Sequence, residues 1–217
     1  MERQKDIARP AKVSVAIIIL FHLVGLVGLS VPSLRPLFLQ IVPWHILLML
    51  LVMILNHKWL NWQLIVFAIF VIVSGFGLEW LGVHKYWLFG DYNYGETLGY
   101  KLFDIPLTIG VNWFLLIYAT GVLMQRSRLK SKWAKVLLGA VLLVLLDLLI
   151  EPVAMHLDYW DWDFHVVPLK NYICWFGVSF MFLWVFELFN FKKQNIAPPV
   201  LLFTEFVFFG ILNLLVR

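Results

Sequence analysis

The chain has 217 residues, 62% of them hydrophobic, 17% aromatic and only 14% charged, with a mean hydropathy of +0.87. That is too apolar for a soluble domain, whose apolar share lies near half. The formal charge of +4 does not mark a nucleic-acid partner, because Lys and Arg sit in short connections between apolar runs and not in one basic patch.

Composition thus defines an all-α polytopic membrane protein, since lipid leaves backbone polar groups no external partner and forces each crossing to be helical. The first segment, MERQKDIARPAKVSV, is basic, but no small-residue cleavage pattern follows it, so a retained first helix is expected and not a removed signal peptide. Crossing the hydrocarbon takes about 17–25 apolar residues. Seven runs qualify, at 13–30, 36–55, 62–83, 106–124, 133–150, 171–190 and 198–216. They form one integral membrane domain over 1–217, without repeats or low-complexity tracts. Prolines punctuate the limits: Pro32 and Pro36 around the first turn, Pro106 opening the fourth span, Pro152 closing the fifth and Pro198-Pro199 opening the seventh.

Charge in the connections sets orientation. With the N-terminus cytoplasmic, that side holds Arg3, Lys5, Arg9, Lys12, Lys58, Arg126, Arg128, Lys130, Lys132, Lys135, Lys192 and Lys193. The other side has only Arg35, Lys85, Lys101, Lys170 and Arg217, so twelve basic residues face five. A multi-pass protein of the cytoplasmic membrane is expected, N-terminus inside and C-terminus outside. The two long outer connections, about 84–105 and 151–170, are rich in Trp, Tyr and Asp, and long loops between tightly spaced spans often carry function.

Ionisable groups inside spans cost a few kcal/mol on insertion scales, which makes each a functional candidate. Glu79 lies near the outer end of span three, Asp147 and Glu151 near that of span five, Asp104 and Asn112 at the outer start of span four, and Asn171 at that of span six. Asp147 and Glu151 are four apart and share one helical face. A structural hydrogen-bond network joining helices is the plainer account of any one of these groups, but six on one side point to a common cause. Glu205, deep in span seven, fits a proton path or a helix contact equally. His22 and His45 are mid-span and read as packing residues. The six histidines never fall three to five apart, the close spacing that integral-membrane di-iron oxygenases use, which argues against a metal site. The one cysteine, Cys174, excludes an internal disulfide and reads as a small packing hydrophobe.

The tryptophans divide into two groups. Trp59, Trp62, Trp133, Trp160 and Trp162 fall at span ends, where an interfacial aromatic belt is expected. Trp80, Trp113 and Trp175 lie at the level of the carboxyl groups, where indole faces can stabilise a cation in a dry site.

The ordered motifs EWLGV (79–83), FGDYNY (89–94), LGYKLFDIPL (98–107), NW (112–113), DLLIEPVA (147–154), YWDW (159–162) and VPLKNYICWF (167–176) resemble the membrane-embedded carotenoid biosynthesis proteins. Characterised members of that family include carotenoid 1,2-hydratases and the bisanhydrobacterioruberin hydratase. The resemblance spans roughly 75–180 and implies addition of water to the terminal double bond of an acyclic ψ end group, with no redox cofactor or oxygen. It also implies a lipid-soluble carotenoid as substrate, the bilayer as its medium, and other carotenoid-pathway enzymes as neighbours. The residues fit such chemistry: protonation of C2 leaves a tertiary cation at C1 that water captures. The donor acid must be neutral near pH 7, as burial favours, and a second, ionised carboxylate can orient the water. Asp147, Glu151 or Glu79 is the expected donor, with Asp104 and Asn112 positioning water, Trp80, Trp113 and Trp175 shielding the cation, and Asn171 and Tyr94 binding substrate. A membrane lycopene cyclase and a seven-helix transporter are the alternatives. Motif order and the absence of an internal repeat favour the hydratase over them.

Overall fold

The computed structural model describes residues 2–57 and 62–216, with side chains described from residue 11. Lys58, Trp59 and Arg217, and the side chains of Arg3, Lys5 and Arg9, lie outside the described residues.

Among the described residues seven α-helices follow one another: α1 (Glu2–Ser30), α2 (Arg35–Asn56), α3 (Trp62–Lys85), α4 (Leu107–Arg126), α5 (Lys132–His156), α6 (Leu169–Phe189) and α7 (Ala197–Leu215). Each is long and apolar enough to cross a membrane, so the chain is a multi-pass membrane protein. Proline placement explains most of the boundaries. Pro36 sits in the first turn of α2, Pro106 is the N-cap of α4, and Pro198 and Pro199 occupy the first turn of α7, where a missing N–H costs nothing. Pro152 corrects the expectation that it closes the fifth span. It lies inside α5, which runs another turn to His156. This end of the helix holds Glu151 buried against the ribbon described below, with Pro152 exposed beside it.

α4 is the axis. Fifteen of its 20 residues are buried, and it touches α2, α3, α5, α6 and α7. Its small and polar residues make this possible, because helices in lipid gain little from burying more hydrocarbon and associate through close packing. A Cβ on Gly110 would stand 2.5 Å from the Ile72 carbonyl oxygen, and one on Gly75 3.0 Å from Trp113. Those two glycines let α3 lie against α4 and bring Glu79 beside Trp113.

At one end of the bundle the short connections are tied together. Asn56 donates to Asn195 Oδ1 at 3.0 Å and Asn195 donates to Asn56 Oδ1 at 2.8 Å, while Arg126 donates to the Gln194 carbonyl at 2.7 Å. Nearby, His57 bonds Tyr118, and burial lowers its imidazole to about 4, which keeps it neutral. At the other end the two long connections form a feature that an all-α expectation does not contain. β1 (Tyr92–Tyr94) pairs antiparallel with β4 (Trp160–Trp162), in the register Tyr92 to Trp162 and Tyr94 to Trp160. A second hairpin joins β2 (Lys101–Leu102) to β3 (Ile105–Pro106). Its turn residues Phe103 and Asp104 both have positive φ, 51° and 62°, as a two-residue hairpin turn of the primed type requires.

Candidate active site

Side chains alternate across a strand with period two, and the ribbon uses this to aim four aromatics into the bundle. Tyr92, Tyr94, Trp160 and Trp162 are buried, whereas Asn93 and Asp161 between them face outward. The tyrosine tips reach Glu79 and the tryptophan tips reach Glu151, and these two carboxyl groups, like that of Asp147 close by, are almost fully buried.

Glu79 accepts at Oε2 from the Tyr92 hydroxyl at 2.6 Å and the Tyr94 hydroxyl at 2.7 Å, and at Oε1 from the Trp113 indole N–H at 2.8 Å. Burial and the adjacent Glu79 charge push both phenols well above their ordinary range, so they remain hydroxyl donors. Glu151 accepts at Oε2 from Trp160 Nε1 at 2.9 Å and Trp162 Nε1 at 2.7 Å, and at Oε1 from Asn171 Nδ2 at 2.9 Å. The same amide nitrogen donates to Asp147 Oδ2 at 2.8 Å. Asp147 Oδ1 is buried and has no hydrogen-bond partner among the described residues. Of the six carboxyl oxygens it alone accepts nothing, and an oxygen without a donor is the one with room for a proton. Trp113 stacks on Trp175 with ring centroids 4.4 Å apart, which floors the cluster with indole.

Two cavities adjoin here. A chamber of about 20 Å³ is lined by Glu79, Tyr92, Tyr94, Glu151, Asn171 and Trp175, among others, enough for a single water. A second cavity of about 310 Å³ lies between α1, α2, α4 and α7, within the range of small-molecule sites. Its mouth includes Phe21, Val24, Ile41 and Trp44, all exposed on the bundle perimeter, so it opens sideways toward hydrocarbon. Ile109 and Trp160 line both cavities and form the partition between them.

The structure therefore brings together Glu79, Asp147, Glu151, Asn171, Tyr94, Trp113 and Trp175. Asn112 stands in the wall of the larger cavity. Asp104 and Trp80 are elsewhere. Asp104 occupies the exposed turn of the β2–β3 hairpin, 3.5 Å from His84, and Trp80 stacks on His84 with Lys85 Nζ 5.7 Å from its ring centroid. The Phe103-Asp104 turn carries that carboxylate away from the bundle, and Trp80 follows Glu79 by one residue, which turns it to another face of α3.

Trp160 and Trp162 correct the belt expectation: both are buried and bonded to Glu151. Tyr92 was not singled out by the sequence. The alternating triplets Y-N-Y and W-D-W in the two long connections are the one trace of all three in the sequence, and they are shorter than the alternation that identifies a strand. Trp62 and Trp133 are exposed at the starts of α3 and α5, as an interfacial belt requires.

A buried cluster of acids capped by phenol and indole donors lies next to an apolar cavity in a membrane-spanning helical bundle, an arrangement able to hold an apolar molecule beside a protic site. The profile of the family described as "Carotenoid biosynthesis protein" matches residues 38–217, and the chain belongs to that family. It is similar to a protein of Haloarcula japonica described as "Bisanhydrobacterioruberin hydratase", 31% identical over 107 residues. That match takes in 46% of this chain and 36% of the relative, so the chain accounts for well under half of the protein it resembles. No solved structure matches the chain.

Proposed function

We propose that the protein hydrates the terminal C1–C2 double bond of an acyclic ψ end group in a lipid-soluble carotenoid. The observation that carries this is the shared wall: one pair of side chains, Ile109 and Trp160, separates a water-sized chamber of acids from an apolar cavity open to the membrane. The polyene occupies the larger cavity and its end meets the acids as Trp160 and Ile109 yield.

Asp147 and Glu151, held to one amide nitrogen of Asn171, share a single proton, because two buried like charges so close cannot both persist. Glu151 lines the chamber and delivers that proton to C2. The π electrons of the double bond form the new C–H bond and leave a tertiary cation at C1, which the Trp113–Trp175 stack and the Glu79 carboxylate stabilise. Water in the chamber attacks C1 and releases its proton to Glu79, so the sum is one added water and an unchanged complement of acid protons once Glu79 returns its proton to the pair. Asn112 orients the end group from the cavity side. The family and the hydratase relative support the substrate class, and the excess of Lys and Arg on one side supports an N-inside, C-outside orientation in the cytoplasmic membrane.

Expression of the chain in a bacterium that makes lycopene tests the proposal, with extracts separated by chromatography and weighed by mass spectrometry. Hydration predicts a product heavier by one water. An isomer of unchanged mass with a shortened chromophore would instead indicate ring closure, and unchanged pigment beside membrane-resident protein would contradict the assignment for this substrate.

A further inference from the structure

The wall of the larger cavity carries a polar cluster that hydration leaves unused. His22 from α1, His45 from α2 and Glu205 from α7 meet there, and all three line the cavity together with Tyr159. His22 Nδ1 is 2.7 Å from the Ile18 carbonyl oxygen. A carbonyl only accepts, so Nδ1 carries a proton and donates it. His22 Nε2 faces Glu205 Oε1 at 3.2 Å and His45 Nε2 at 3.4 Å. These contacts engage one carboxyl oxygen of Glu205 and one ring nitrogen of His45. Glu205 Oε2, His45 Nδ1 and the Tyr159 hydroxyl have no hydrogen-bond partner among the described residues. Burial and the charge of Glu205 hold the Tyr159 phenol above its ordinary range, so it stays a donor.

A hydrocarbon alone would leave this acceptor and this donor unpaired in a dry pocket, which is costly. A hydroxyl group carries both functions, a donor for the carboxylate and an acceptor for the phenol. We propose that Glu205, His22, His45 and Tyr159 form a binding site for the hydroxyl group of an acyclic isoprenoid alcohol lying in the larger cavity. This rests on the cavity being the seat of the isoprenoid chain. The product of hydration is itself such an alcohol, so the site makes product compete with substrate.

The test uses the full chain in lipid nanodiscs, titrated with geranyllinalool, an acyclic tertiary alcohol, and with the same chain lacking its hydroxyl, followed by quenching of tryptophan fluorescence. The expected result is about tenfold tighter binding of the alcohol, the worth of a hydrogen bond to a charged group. That preference falls to within about twofold in Glu205→Ala, and also in Tyr159→Phe, which removes one oxygen and spares the helix bundle, while hydrocarbon affinity is retained in both. Equal affinities in the wild type, or a preference that survives both variants, overturns the hydroxyl site alone and leaves hydration standing. Binding of neither probe overturns the cavity as the chain's seat as well. A water-adding activity measured in the same preparation separates the two failures.

Discussion

Asp147 and Glu151 hang from one amide nitrogen, and their roles can be separated by isosteric amides. Glu151→Gln and Asp147→Asn each remove a proton-exchanging group at constant shape, so hydration should fall by at least about a hundredfold, the scale of a lost general acid, with membrane levels unchanged. Asp104→Asn should retain close to full activity, because its carboxylate is exposed in a hairpin turn. A product assay on the three variants, normalised to protein in the membrane, checks both statements, and a silent Glu151→Gln would remove the proton-sharing pair from the mechanism. The two tyrosines are milder cases. Tyr92 and Tyr94 donate to the same oxygen of Glu79, so losing one leaves the other, and Tyr94→Phe should cost about tenfold or less, as a single hydrogen bond is worth.

The helix pair α3 and α4 sets the distance between Glu79 and Trp113, and two glycines set the helix pair. Gly110→Val would drive a side chain into the Ile72 carbonyl and should destabilise the bundle by about 1–3 kcal/mol, seen as a lower thermal midpoint in detergent, with activity falling alongside. The ribbon is the other element on which the site depends. The site as a whole was half legible in the sequence. The spans, the carboxyl groups inside them and the common level of Glu79, Asp147, Glu151 and Asn171 follow from hydropathy and span direction, because a buried charge stands out against twenty apolar neighbours. The pairing of β1 with β4 does not, since three-residue strands lie below the length at which periodicity speaks and their partners are more than sixty residues apart. Trp160 and Trp162 consequently look like belt residues until the register turns them inward. Asp104 misleads for the converse reason: a carboxylate beside a span start looks buried until a positive-φ turn lifts it out.

For the molecule as a whole, burial is uneven in a way composition could not display. α4 is enclosed and α1, over its described side chains from Ala11 to Ser30, faces mostly outward, leaving the cavity's mouth at the edge of the bundle between α1 and α2. Narrowing that mouth should impair activity on long polyenes without touching the acids. Gly25→Leu, whose Cβ would begin 3.6 Å from Phe208, should raise the substrate concentration needed for half-maximal rate by several-fold while the maximal rate changes less, since the loss is in binding shared by ground and transition states. The account stands or falls on water adding to the chain by acid catalysis. Membranes carrying the protein, incubated without oxygen with lycopene in water enriched in heavy oxygen and separately in heavy water, measure this directly. The prediction is one labelled oxygen per hydrated end and one deuterium at C2, both abolished in Glu151→Gln. Product oxygen that carries no label, or labelled product undiminished in Glu151→Gln, would contradict it.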